Sequence, residues 1–134
     1  MRVFLLMALL SLVPQYAISG INAYECTVKN ELHTNNDGEL VSNRKIYIGG
    51  VFNVERKTGV VLGGGLGNSS YKTKTIIDPG GKDQSFKLLW QSHPVVGTSG
   101  GINSVYLTVE EYNENFLKPF VLVEGNTVLS GTCK

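Results

Sequence analysis

The residues that most often carry out chemistry in proteins are few in this chain and widely spaced. The two histidines, His33 and His93, lie sixty residues apart, whereas zinc ligands usually come in closer pairs. Each histidine is flanked by turn-forming residues, a pattern typical of an exposed loop edge. Glu110 and Glu111 are adjacent, so on a strand they would point to opposite faces and could not act as one carboxylate pair. We therefore expect no metal site and no catalytic residue, and thus a protein that is not an enzyme.

Two short motifs resemble ligand-binding loops but lack the groups that such loops require. Residues 35–38 resemble part of a calcium loop, but placing Gly38 at its sixth position puts His33 at the first and Arg44 at the twelfth, where carboxylates are needed. Residues 63–70 follow a predicted strand, as a phosphate-binding loop would. They have neither Gly-Lys-Ser/Thr nor the third glycine of Gly-x-Gly-x-x-Gly. Both segments are predicted to be simple turns or loops, and no cofactor is expected.

The chain begins with the three parts of a secretory signal: the basic Arg2, an apolar run over residues 3–13 and a polar stretch after Pro14. The run is shorter than the roughly 20 apolar residues that span a membrane. We expect residues 1–23 to be a signal peptide cut after Ala23, with a cut after Ser19 as the alternative. No small residues directly precede Cys26, so no lipid anchor is expected. The mature protein, residues 24–134, is predicted to be one domain, periplasmic or secreted, without a stable membrane anchor.

Cys26 and Cys133 are the two cysteines of the chain. In an exported protein they are most simply one structural bridge, and without a Cys-x-x-Cys motif a redox pair is disfavoured. The closed loop would exceed a hundred residues, which the chain-entropy argument credits with about 4.7 kcal/mol. The bridge would also join the first and last predicted strands, as in a closing barrel.

Charge excludes one class of partner. Without Arg2 the mature chain has eleven basic and eleven acidic residues, so its net charge is zero. Nucleic-acid binders usually carry a clear basic excess, so no nucleic acid is expected as a partner. The balance also gives no steering toward a charged membrane or an acidic polymer.

Short alternating stretches between glycine-rich turns predict an all-β fold of about eight antiparallel strands, an up-and-down barrel with a sandwich as second choice. The predicted strands cover residues 24–32, 46–54, 60–62, 71–77, 85–91, 105–109, 120–123 and 128–133. The alternation predicts one apolar face in the first strand, with the acidic Glu25 and Glu31 on the other; the apolar set is Tyr24, Cys26, Val28 and Leu32. Residues 109–117, the nearest candidate for a helix, are weakened by asparagines and stopped by Pro119.

Binding is the function that these observations leave. The glycine-rich loops 63–70 and 93–101 are long and partly apolar, and loops on a rigid β scaffold commonly carry recognition. We expect them to bind an unknown protein or small ligand through four residues: Leu66, Asn68, Val95 and Val96. A competing hypothesis places the ligand inside the barrel, on inward-facing side chains such as Val28, Phe86 and Leu107. That hypothesis requires an open apolar cavity, whereas an inhibitor of a hydrolase is expected to have a filled barrel with one protruding loop.

Four segments carry a resemblance that spans most of the mature chain: Tyr24-Glu25-Cys26-Thr27-Val28-Lys29-Asn30-Glu31-Leu32, Phe52-x-Val54-x-Arg56-x-Thr58-Gly59, Lys118-Pro119-Phe120 and Ser130-Gly131-Thr132-Cys133. They resemble a group of small exported β proteins of Gram-negative bacteria with no assigned function. That resemblance implies no functional residues.

A looser similarity of shape is to the periplasmic lysozyme inhibitors, eight-stranded barrels with a disulfide and an aromatic-x-Cys start. Their Ser-Gly-x-x-Tyr loop does not match here, because Ser99-Gly100 is followed by a tyrosine only at Tyr106. The preferred hypothesis is an exported, non-catalytic binding protein. The alternative is a periplasmic inhibitor of a hydrolase such as lysozyme or a protease.

Overall fold

The computed structural model describes residues 22–66, 71–92 and 102–134, and the regular structure in these ranges is entirely β. Its nine strands are β1 (Ala23–Thr34), β2 (Leu40–Val41), β3 (Val51–Glu55), β4 (Val61–Gly63), β5 (Tyr71–Gly81), β6 (Gln84–Ser92), β7 (Ser104–Val109), β8 (Lys118–Glu124) and β9 (Thr127–Cys133). The prediction of an all-β fold is confirmed, and residues 110–117 form a loop. These ranges contain no helix with the length and apolar character needed to cross a membrane.

The strands form one antiparallel sheet in the order β4-β3-β1-β9-β8-β7-β6-β5, with β2 paired to the end of β1. Apart from the short β2, neighbours in the sheet are neighbours in sequence, and β1 joins β9 to connect the two halves of the chain. This is the predicted up-and-down order, strongly curled into a half-barrel. The ends of this order are β4 and β5.

Side chains tie the two ends of the sheet together. The turn after β3 folds against β6, where Trp90 Nε1 donates a hydrogen bond of 3.0 Å to the carbonyl of Gly59. Arg56 donates to the carbonyl of Pro79 in β5 at 2.8 Å and forms an ion pair of 2.8 Å with Glu111. Gly59 has a φ of 69°, as its predicted turn requires. The turn therefore packs against β6 and β5, at the β5 end of the half-barrel.

Cys26 and Cys133 face each other directly across β1 and β9 and are bonded, which confirms the predicted bridge. On the adjacent pair, Glu25 and Lys134 exchange both backbone hydrogen bonds. The cysteines therefore occupy a non-hydrogen-bonded pair, where facing side chains come closest. The bridge fixes β1 to β9 at the end of the sheet where β1 begins.

The interior of the curled sheet is filled. The predicted inward row of β6, Phe86, Leu88 and Trp90, is buried. Aromatic contacts link the two halves, with ring centroids 5.4 Å apart for Tyr24 and Phe86. The side chains on which an internal ligand cavity would depend are also closed off from solvent: Val28, Phe86 and Leu107. No water-sized space touches Phe86 or Leu107, because each has zero accessible surface.

Three expectations about strands are corrected by the structure. A bulge between Val28 and Asn30 reverses the faces of β1, so Glu31 points inward and Leu32 outward. The predicted strand 46–54 begins only at Val51, because the chain turns at Tyr47, whose carbonyl accepts the N–H of Gly50. β5 runs on through Pro79 to Gly81, and its turn to β6 is only two residues long.

Candidate ligand-binding site

The β1 bulge creates the most unusual environment in the described part of the chain. Beyond it, Glu31 and His33 turn inward and are buried, with exposures of 0% and 5%. In the described ranges, Glu31 and His33 are the two buried residues with polar or charged side chains. The prediction that His33 lies exposed at a loop edge is therefore wrong: the bulge shifts the alternation by one residue and turns its side chain into the fold.

Three segments of the chain contribute to the hydrogen bonds of this buried pair. His33 Nε2 donates to Glu31 Oε1 at 2.7 Å, and the backbone N–H of Tyr47 donates to Glu31 Oε2 at 2.8 Å. On the other side of the imidazole ring, Nδ1 shares a hydrogen bond of 3.0 Å with the hydroxyl of Thr127 in β9. A buried charge is tolerated when its hydrogen-bonding capacity is met in this way. The pair therefore fixes β1, β9 and the segment before β3 relative to each other.

The electrostatics of Glu31 favour its ionised form. Burial by itself raises the pKa of Glu31, but the N–H of Tyr47, the His33 imidazole and the backbone of Ile46 outweigh burial. The pKa of Glu31 is therefore held below its ordinary value of 4.5. At neutral pH the site contains a buried carboxylate.

His33 also forms one wall of a cleft of about 250 Å³ beside the end of β1. The cleft is lined entirely by polar side chains: His33, Thr34, Asn35, Asn36, Asn43, Arg44 and Asn126. Hydrogen bonds order part of its lining, since Asn35 Oδ1 accepts the N–H groups of Asp37 and Glu39, and the N–H of Thr34 donates to the carbonyl of Asn126 at 3.0 Å. Three separate segments of the chain thus meet around one polar space.

Four of the lining side chains are available to a ligand. Within residues 22–66, 71–92 and 102–134, no side-chain hydrogen bond or ion pair engages Asn36, Asn43, Arg44 or Asn126. Amides both donate and accept hydrogen bonds, and the guanidinium group offers several donors suited to carboxylate or phosphate oxygens. The lining holds one guanidinium and no carboxylate. Its chemistry suits a ligand rich in oxygen atoms and carrying an anionic group.

The order Thr127, His33, Glu31 resembles that of a nucleophile, a base and an orienting carboxylate. Of these three residues, however, only His33 lines the cleft. A molecule held in the cleft would face the imidazole ring, both of whose nitrogens are engaged. The arrangement therefore suits a structural role, in which hydrogen bonds hold the His33 ring in position at the wall of the cleft.

Of the four predicted partner-binding residues, the structure describes only Leu66, and Leu66 does not line this cleft. Leu66 is half-buried and packs against the hydrophobic core. Asn68, Val95 and Val96 lie outside the described residues, as does His93, and their predicted role stays a prediction. No group of three or more His, Cys, Asp or Glu side chains that could hold a metal ion occurs in the ranges that the structure describes.

Sequence reasoning missed the cleft and the buried pair behind it. The sequence does contain a signal, because three of the lining asparagines, Asn35, Asn36 and Asn43, lie within nine residues of each other. Asparagine clusters are also typical of turns, so composition alone does not separate a turn from a ligand site.

Comparisons with protein-family models, with curated proteins and with solved structures give no match to this chain. The class of protein therefore rests on the fold and the site alone. They define a disulfide-closed, all-β half-barrel with a polar cleft beside the end of its first strand.

Proposed function

We propose that this protein is an exported, non-catalytic binding protein that holds a small, oxygen-rich, anionic ligand in the polar cleft. The observation that carries the proposal is the lining itself: Arg44 supplies a positive charge, the side-chain amides of Asn36, Asn43 and Asn126 are unengaged, and no carboxylate is among the lining residues. Small-molecule sites depend on such convergent polar groups for orientation. Nucleic acid is not among the proposed ligands, since the mature chain has no basic excess.

The buried pair supports this proposal because burying ionisable groups costs free energy that apolar residues would not cost. Apolar residues of similar volume are often as stabilising as a buried ion pair, or more so. We infer that a pair buried next to a cleft serves the cleft as well as the fold, since perturbed ionisable groups concentrate at functional sites. Here the pair fixes the plane of the His33 ring, which forms part of the cleft wall.

Export is part of the same proposal. The disulfide is fully buried, with both cysteines at zero exposure, and such bridges persist in oxidising compartments. Together with the signal-like residues 1–23, this supports a periplasmic or secreted protein. The mature form would then carry no stable membrane anchor.

The proposal is tested by NMR titration of the ¹⁵N-labelled mature protein with glucuronate, citrate and uncharged glucose. We expect the two anions to shift the backbone amide resonances of Thr34, Asn43 and Asn126. Glucose should cause smaller shifts of the same resonances. Arg44→Ala should weaken anion binding at least about tenfold, because a charge-assisted hydrogen bond contributes about 1.5–3 kcal/mol. Lys45→Ala is the matched control, since this neighbouring cation lies outside the lining.

Two results would contradict the proposal. In the first, neither anion shifts the cleft amides at millimolar concentration. In the second, Lys45→Ala weakens binding as much as Arg44→Ala, which would indicate general charge attraction without a defined site.

A second candidate function, inhibition of a hydrolase, is favoured by a different observation. The interior is filled at Phe86 and Leu107, and a filled barrel is what the inhibitor hypothesis requires. Lysozyme and protease assays with a stoichiometric amount of the protein test this directly. Unchanged rates in both assays would argue against it.

A further inference from the structure

The loop between β7 and β8, residues 110–117, presents the most exposed large apolar side chain of the described ranges. Phe116 is 81% exposed, and Tyr112 and Leu117 are 50% and 43% exposed. These side chains lie where β8 begins, whereas the cleft lies beyond its other end, near Asn126. The loop is therefore a separate surface, and it plays no part in the proposed ligand site.

The loop is held in place at its base. Glu111 is bound by Arg56, the N–H of Asn115 donates to Asn113 Oδ1 at 3.0 Å, and Lys118 Nζ donates to the carbonyl of Asn113. Presenting a phenylalanine to water from a fixed loop carries a solvation cost with no gain in core packing. Clustered exposed apolar side chains with polar neighbours are typical of interaction surfaces.

The charges around the loop indicate the kind of surface it fits. Glu110 and Glu114 form no ion pair within the described residues, whereas Glu111 is neutralised by Arg56. Two carboxylates without an ion pair therefore lie in the same loop as the exposed apolar side chains. They would repel the anionic surface of a bilayer, and a symmetric contact with a second copy would bring like charges together.

We propose that the β7–β8 loop is a docking site for a protein partner whose surface has an apolar pocket bordered by lysine or arginine side chains. Phe116 fills the pocket, and the carboxylates of Glu110 and Glu114 pair with its basic border. Buried aromatic anchors commonly dominate the affinity of such interfaces, while charges at the border mainly speed association.

The test places a photoreactive phenylalanine analogue, p-benzoylphenylalanine, at position 116 of the full chain in exporting cells. The control carries the same analogue at position 77, because Ile77 is also exposed, at 53%, and lies on β5. Illumination should link position 116, but not position 77, to one protein with a basic-bordered apolar pocket. The adduct should decrease as salt is added, because screening weakens exposed charge pairs.

The identified partner is then purified and its affinity measured. Phe116→Asp should weaken binding at least about thirtyfold, as expected for an interface hot spot. Glu114→Lys should slow association and reduce its salt dependence, whereas Ile77→Asp should have little effect. Each variant is first shown to retain its near-UV circular dichroism.

Several outcomes would overturn the proposal. An adduct only with a second copy would make the loop a self-association surface. Uptake of the protein by phosphatidylcholine vesicles, lost in Phe116→Asp, would make it a membrane contact. No adduct at position 116, or unchanged affinity in Phe116→Asp, would refute a docking role for the loop.

Discussion

Replacing Glu31 with alanine should be among the most destabilising single changes in β1. The substitution leaves two buried donors without an acceptor, the N–H of Tyr47 and His33 Nε2, which lie 2.8 and 2.7 Å from the carboxylate oxygens. An unsatisfied buried group costs about 1–3 kcal/mol. Because two donors lose their acceptor, we expect the free energy of unfolding to fall by about 2–6 kcal/mol.

Glu25→Ala is the matched control, because Glu25 lies on the same strand in an exposed ion pair with Lys134. Exposed pairs contribute about 0–1 kcal/mol. Urea unfolding followed by the fluorescence of Trp90, the one tryptophan, measures both variants with the disulfide intact. Replacing the pair together, Glu31→Met with His33→Leu, should restore the part of the loss that comes from His33 Nε2, whereas the N–H of Tyr47 still lacks its acceptor. If Glu31→Ala costs no more than Glu25→Ala, the reasoning is refuted.

The Glu31 contribution should also depend on pH. The pKa of Glu31 is lowered in the folded state, so the unfolded chain binds the proton more readily. The stabilisation is therefore fully present above the pKa of the unfolded chain, and it decreases as the pH falls through the pKa of the folded state. The difference in unfolding free energy between the native protein and Glu31→Gln should therefore be constant near neutral pH. It should shrink progressively below about pH 4.3. A difference in unfolding free energy that grows on acidification would contradict the predicted direction of the Glu31 pKa shift.

Three other predictions concern the framework. Replacing both Cys26 and Cys133 with serine should lower the unfolding free energy by about 2–5 kcal/mol in the same urea assay, and an unchanged midpoint would contradict a stabilising bridge. Gly131→Ala should lower the unfolding free energy by about 1–3 kcal/mol or more, because the added Cβ would collide with the carbonyl of Thr27. Gly81→Ala is the control and should have a much smaller effect, because no atom lies within 4 Å of its added Cβ. Equal losses in the two variants would count against the packing argument. N-terminal sequencing of the exported protein should begin at Tyr24, and an intact apolar run would show that the signal is retained.

The local pattern of residues in the sequence was sufficient to predict much of the fold. The two-residue alternation of β6 predicted its inward row, because side chains of a strand alternate between faces whatever lies beyond it. The glycine at position 59 predicted its turn, since the positive φ found there suits glycine best. The presence of two cysteines, together with a signal-like start of the chain, predicted the disulfide that the structure contains.

The candidate site depended on contacts that no local pattern contains. A single extra residue in β1 reversed the faces beyond Val28, and the burial of Glu31 that follows is tolerated only because Tyr47 and Thr127 complete the hydrogen bonds. These partners lie 16 residues from Glu31 and 94 residues from His33. The cleft likewise joins three segments of the chain that only the pairing of β1 with β2 and β9 brings together. Local sequence sets which face a side chain prefers, but the cost of burying a charge is decided by groups that the tertiary fold places beside it.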